Sequence, residues 1–166
     1  MFNHAMKVNM DVLLISNGDA CRSRMAQEIL YSFGRGLKLF TAGVAEESAV
    51  PQLVSQVMQD KGYEVSKKKP THVSVYAKQP WDYVITLTSE AEEERRILPL
   101  AERPFSFCTF EDPFISPGLS DLELEENLRN LYDKMYKELY ELYRDELSER
   151  LLPKCTCGAN TFCRCE

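Results

Sequence analysis

Asp11-Val-Leu-Leu-Ile-Ser16-Asn-Gly-Asp-Ala-Cys21-Arg22-Ser23-Arg24-Met25-Ala26 carries the densest structural signal in the chain. Val12 to Ile15 is a short unbroken apolar run, the pattern of a strand covered on both faces. Asn17-Gly18-Asp19 is turn chemistry, and Gly18 has no Cβ to oppose a positive φ. From Ser23 to Phe33, the apolar residues Met25, Ile29, Leu30 and Phe33 recur at helical spacing. The reading is strand, tight loop, helix. Such a loop ends at a helix N-terminus, where free N–H groups and the helix dipole favour an anion. Arg22 adds a permanent charge whose planar fork matches a tetrahedral oxyanion. The local expectation is a cradle for phosphate, sulfate or arsenate made by Asn17, Gly18, Asp19, Ala20, Cys21, Arg22 and Ser23. The plainer alternative is a tight βα turn that happens to carry one arginine.

The rest of the chain repeats the same alternation. Leu37 to Ala42 reads as a second strand ending at Gly43. Pro51 suits a first helical position, and Val50, Leu53, Val54, Val57 and Met58 form one apolar face before Gly62, a C-terminal cap. Lys67-Lys68-Lys69 reads as a solvated basic stretch, and His72 as a turn or core histidine. Trp81 to Thr88 is a third strand, rich in β-branched and aromatic residues. Ser89 and Glu92 have capping-box spacing and start a short helix. Pro104 to Phe110 is a fourth strand, with Cys108 as a buried small hydrophobe, and it feeds Glu111-Asp112-Pro113. Ser120 and Glu123 cap a long helix running from Leu122 to about Leu152. Leu128, Leu131, Met135, Leu139 and Leu142 are its core stripe, with Tyr132, Tyr136, Tyr140 and Tyr143 alongside. Packing with phenol tips at the surface is the simple reading of these tyrosines, and a homodimer face is the sharper one.

Four strands alternating with helices imply an α/β fold, a parallel doubly wound sheet with right-handed crossovers and helices on both faces. The loop then lies at the carboxyl edge of the first strand, where open α/β sheets bind ligands. The 166 residues suffice for one domain with a sizeable core, assigned to residues 10–152. A net charge of −6 argues against a general nucleic-acid binder or a basic membrane-surface protein. No apolar run approaches the ~18 residues a membrane span needs. Met1 to Met10 lacks the apolar core of a signal peptide. The expectation is a protein of the reducing cytoplasm.

Residues 16–23 resemble the active-site loop of the low-molecular-weight protein tyrosine phosphatases and the thioredoxin-coupled arsenate reductases. In those enzymes the loop reads Cys-x-Gly-Asn-x-Cys-Arg-Ser. The first Cys is the nucleophile, and backbone amides with the Arg hold the oxyanion. Gly18, Cys21, Arg22 and Ser23 match, Ser16 stands at the nucleophile position, and Asp19 replaces the Asn. The similarity continues through Thr41-Ala42-Gly43 and the Pro51 helix, and covers about residues 10 to 150. It implies a four-stranded fold and gives the catalytic positions to Ser16, Arg22 and Asp112, the last as general acid to the leaving oxygen. It implies no cofactor for the main domain.

The departures bear on mechanism. A serine hydroxyl stays protonated near neutral pH and needs an adjacent base, whereas a thiolate does not. Losing a covalent nucleophile costs on the order of 10⁶ in turnover in a well-studied hydrolase. A carboxylate ~5 Å from a bound anion repels it by roughly 3 kcal/mol per unit charge at an effective dielectric of ~20, so Asp19 must either be offset or point away. Thr88 to Glu92 contains no cysteine where the reductases carry resolving thiols. Phe114 stands where phosphatases of the family place a tyrosine beside the substrate. The expected function is binding of a phosphate-like oxyanion or a phosphorylated ligand with thiolate catalysis lost. The alternative is an active tyrosine phosphatase or arsenate reductase using Ser16, Cys21 or cysteines of the tail. That tail, residues 153–166, holds Cys155, Cys157, Cys163 and Cys165 as two Cys-x-Cys pairs. Four thiolates could close a tetrahedral zinc site, with redox use and an unstructured appendage as the other readings.

Overall fold

The structure, a computed structural model, describes residues 7–46 and 49–151. The 153–166 tail and its four cysteines lie outside the described residues. Four strands form one sheet in the order β2-β1-β3-β4: β1 (Met10–Gly18), β2 (Leu37–Ala45), β3 (Tyr83–Thr86) and β4 (Phe105–Phe107). Every pairing is parallel, with Leu14 opposite Thr41 on one side of β1 and Ile85 on the other. The helices are α1 (Arg22–Phe33), α2 (Gln52–Asp60), α3 (Ser89–Ile97) and α4 (Asp121–Leu142).

The unbroken apolar run in β1 is explained by two separate cores. Val12 and Leu14 pack with Met25 and Ile29 of α1, Val57 of α2 and Leu128 of α4. Leu13 and Ile15 point to the other face, against Ala91 of α3, Trp81 and Leu100. All four β1 side chains are fully buried. Alternate residues of a strand face opposite ways, so a strand covered on both sides needs no polar alternation. The doubly wound α/β sheet is thus the architecture of the chain.

Several boundaries differ from those expected. β1 runs on through Gly18 instead of ending at Ile15, because Ser16 and Gly18 stay paired to Gly43 and Ala45 of β2. The cap of α3 is Thr88, whose Oγ1 accepts from the Ala91 amide at 3.1 Å. The carboxylate of Glu92 serves Thr86 and Arg95 instead of a capping box at Ser89. At α4 the Ser120–Glu123 capping box is complete in both directions. The five leucine and methionine residues of its stripe are all buried. Regular α-helix stops at Leu142, earlier than about Leu152, and passes into a π turn over Tyr143–Leu147 and a 3₁₀ turn over Ser148–Arg150. The wider turn sets Leu147 over Leu142 across five residues, so both stay buried. The fourth strand is shorter than Pro104 to Phe110, though Cys108 and Phe110 still donate to Thr86 and Leu87 carbonyls at 2.9 and 3.1 Å. Cys108 itself is only half-buried, not sealed in the core. Among the described residues no helix is long and apolar enough to cross a membrane.

Candidate functional site

The carboxyl ends of β1 and β2 carry the site. Beyond Gly18 the chain turns over Asp19, Ala20 and Cys21 and enters α1 at Arg22. The turn is packed tightly on β2. A Cβ on Gly43 would lie 2.5 Å from the Asp19 nitrogen and 2.9 Å from Gly18 backbone atoms, so this position accepts only glycine without backbone movement. That explains the glycine of the Thr41-Ala42-Gly43 segment.

Ser16 is fully buried, and its hydroxyl donates to the Gly18 carbonyl at 2.6 Å. No histidine or carboxylate accepts from it among the described residues. His72 caps the 3₁₀ turn Val73–Val75, and its ring nitrogens meet Ser74 and the Val44 carbonyl. Among the described residues nothing therefore activates the Ser16 oxygen as a nucleophile. A trans peptide points its N–H opposite its carbonyl. With the Gly18 oxygen turned to Ser16, the Asp19 N–H is directed away from it, and the Asp19 nitrogen packs on Gly43.

Asp19 does not face the cradle. Its carboxylate is 1% exposed and is surrounded by donors. Oδ1 accepts from Ser23 Oγ at 2.9 Å and Arg24 Nε at 3.0 Å, and Oδ2 from Arg24 Nη2 at 3.0 Å and the Thr71 amide at 2.9 Å. The two-pronged pairing with a 2% exposed arginine offsets the charge that would otherwise repel an anion. Arg24 also donates to the Ser66 and Lys69 carbonyls, both at 3.3 Å. The sequence reading missed Arg24. The available signal was a carboxylate in an anion loop followed five residues later by an arginine.

Arg22 is the first residue of α1 and only 9% exposed. One guanidinium nitrogen donates to the Phe110 carbonyl at 2.9 Å, and the other nitrogens have no acceptor among the described residues. Cys21, at the N-cap, offers no side-chain acceptor to the first-turn amides. Among the described residues the α1 start therefore combines first-turn N–H groups that no side chain caps with a guanidinium edge that meets no acceptor. Phe110 lies two residues before Asp112, so the Arg22 bond ties the two segments together. Asp112 accepts from the Phe114 amide at 2.9 Å and is half-buried. It is close enough to Cys21 to act on that thiol. Burial pushes Cys21 up to about 12, Arg22 pulls it back in part, and Asp112 adds to the rise. Cys21 is a neutral thiol whose sulfur lies 3.8 Å from Met25 Sδ. Arg22 and Asp112 thus both act on Cys21, while Ser16 closes on the Gly18 carbonyl at the end of β1, and Asn17 and Gly18 remain strand residues.

No group of three or more His, Cys, Asp and Glu side chains could hold a metal among the described residues. A cleft of about 490 Å³ beside the end of α2, lined by Ser55, Gln59, Tyr63 and Lys67 among others, contains none of the loop residues.

An open parallel sheet whose first strand leads through a tight turn into a helix defines a doubly wound α/β protein. The sequence model for the family described as low molecular weight phosphotyrosine protein phosphatase matches residues 11–149, and the chain belongs to that family. In a search of curated proteins no sequence matches it. Among solved structures it is similar to a low molecular weight phosphotyrosine phosphatase from Vibrio cholerae O395, with TM-score 0.65 and 17% identity over 83% of this chain and 99% of that one. An arsenate reductase from Archaeoglobus fulgidus gives TM-score 0.58 and 19% identity over 78% and 98% of the two chains. The YwlE arginine phosphatase, as a Cys-to-Ser mutant with a phosphorylated active site serine, gives 0.59 and 18% over 83% and 99%. At these identities the likeness establishes the fold.

Proposed function

We propose that this protein binds a phosphorylated ligand at the start of α1 and does not turn it over by the thiolate route of its family. The observation that carries the reading is Arg22: buried at the first helical residue and tied by one nitrogen to Phe110, with the rest of its fork without an acceptor among the described residues. Ser16 supplies the other half, a hydroxyl with no base among the described residues to take its proton. Cys21 does not substitute for a lost thiolate, because its sulfur is buried and its proton is held tightly. In this reading the Gly18–Asp19 peptide turns when the anion enters, since a carbonyl facing it would be repulsive. Hydrolysis of p-nitrophenyl phosphate by the unmodified protein and by Ser16→Cys tests the reading. The expected result is no hydrolysis above buffer for the former and measurable turnover for the latter. Robust hydrolysis by the unmodified protein rejects it.

One observation favours a second reading, in which Ser16 is itself phosphorylated by the ligand. A serine at the active site of the YwlE mutant carries a phosphoryl group. The Ser16 Oγ–P bond would form as the ester O–P bond breaks, Asp112 giving its proton to the leaving oxygen and the serine proton passing to a phosphoryl oxygen. A mass gain of one phosphoryl group on the peptide holding Ser16 would select this reading.

The wider assignment is a reducing cytoplasm, no nucleic-acid partner and a domain over residues 10–152, with the tyrosines of α4 packing along the helix and a homodimer face as the sharper alternative. Zinc held by Cys155, Cys157, Cys163 and Cys165 completes it. Plasma-emission analysis of untagged protein should find close to one zinc per chain, and under a tenth of an equivalent removes the zinc.

A further inference from the structure

The buried Asp19–Arg24 pair does more than silence a carboxylate. Both partners sit in the anion loop and the first turn of α1, and together they grip the backbone of residues 66–71 at three points. Arg24 holds the Ser66 and Lys69 carbonyls, and Asp19 holds the Thr71 amide. The Thr71 carbonyl accepts from Gly43, and His72 bridges Gly43, the residue opposite Ser16 in the sheet. The segment is thereby fixed at the same carboxyl edge as the loop. It carries Lys67, Lys68 and Lys69, all exposed, the one run of three cations in a chain of net charge −6. A solvated charge run on a free loop would need no such anchoring.

We propose that Asp19 and Arg24 are positioning residues for a cationic rim, and that the site takes a phosphorylated residue within an acidic polypeptide. The proposal rests on the oxyanion reading above. The loop and Arg22 hold the phosphoryl group, and Lys67 to Lys69 attract the carboxylates flanking it. Interactions of this kind are partly screened by salt and contribute more to selection than to raw affinity.

The test uses the full chain and two phosphotyrosyl peptides, one with Asp and Glu flanks and one with neutral flanks, read by fluorescence anisotropy with inorganic phosphate as competitor. The acidic peptide should bind about tenfold tighter near 50 mM salt, and the preference should shrink to about twofold near 500 mM. Lys67→Ala, Lys68→Ala and Lys69→Ala combined should bring the two peptides to similar affinity. Arg24→Met keeps all three lysines but releases Ser66 and Lys69, and should weaken the preference. If that variant does not fold, the lysine variant on the surface still decides. Equal binding of both peptides to the unmodified protein, with phosphate competing, overturns the rim alone. So does a preference that survives loss of the lysines. If neither peptide binds and phosphate has no effect, the oxyanion reading and the rim fail together.

Discussion

Replacing Arg24 with methionine removes a guanidinium that is 2% exposed and makes four hydrogen bonds, two to Asp19 and one each to Ser66 and Lys69. Asp19 would keep only the Ser23 hydroxyl and the Thr71 amide, as a carboxylate that is 1% exposed and has lost its countercharge. Breaking a buried pair from one side costs about 3–5 kcal/mol, a large part of the ~5–15 kcal/mol that holds a domain together. At roughly 3 °C per kcal/mol for a chain of this size, the melting temperature should fall by about 10–15 °C. Urea unfolding followed by circular dichroism, with the slope checked for constancy, measures the loss directly. The double variant Asp19→Leu with Arg24→Met removes both charges together. It should be less destabilised than the sum of the single variants by at least about 2 kcal/mol. A loss below about 1 kcal/mol for Arg24→Met, or strict additivity in the cycle, would refute the claim that this pair holds the loop.

Gly43→Ala should cost about 1–3 kcal/mol in the same assay, because the added Cβ would lie 2.5 Å from the Asp19 nitrogen and 2.9 Å from Gly18 backbone atoms, which must shift to admit it. A neutral outcome would mean the turn is looser than its contacts indicate. Iodoacetamide at pH 8 should leave Cys21 unmodified in the folded protein, since burial pushes its thiol up to about 12, and should modify it once urea unfolds the chain. Peptide mass spectrometry reads both states, and rapid native labelling of Cys21 contradicts the assignment. Glu92 is held below its ordinary value of 4.5, mainly by its hydrogen bonds from Arg95, with burial opposing and Thr86 assisting. A carboxyl depressed in the native state contributes stability above its unfolded value and loses it as pH falls through the native one. The melting-temperature gap between the unmodified protein and Glu92→Gln should therefore be steady from neutrality to about pH 5 and close below it. A gap that is the same at pH 3 as at pH 7 would contradict the ion pair.

The sheet was legible because β1 states its environment in four residues. Val12 to Ile15 leaves no polar face, and only a two-sided core satisfies that pattern. The Ser120 cap and the stripe from Leu128 to Leu142 were legible for the same reason, a local signal that tertiary packing reinforces. The cap of α3 was misplaced by one residue, since Thr88 and Ser89 are both good caps and the competing demand of Arg95 on Glu92 is spatial. The loop was readable in its residue types but not in its peptide directions. Whether the Gly18 carbonyl or the next amide faces Ser16 depends on pairing that continues to Ala45 of β2, more than two dozen residues away. Arg24 escaped notice because an arginine in a first helical turn reads as surface. Only the packing of residues 66–71 over it makes it interior.

The deciding question is whether a tetrahedral anion is held at the guanidinium edge of Arg22 that Phe110 leaves free. A crystal of the unmodified protein grown with phosphate, paired with calorimetric titration of phosphate, addresses that directly. One phosphate should lie within hydrogen-bond distance of Arg22 and of the first amides of α1, with the Gly18 carbonyl turned off Ser16. A loop that stays empty at saturating phosphate, with the Gly18 carbonyl still on the Ser16 hydroxyl and no heat of binding, would contradict it.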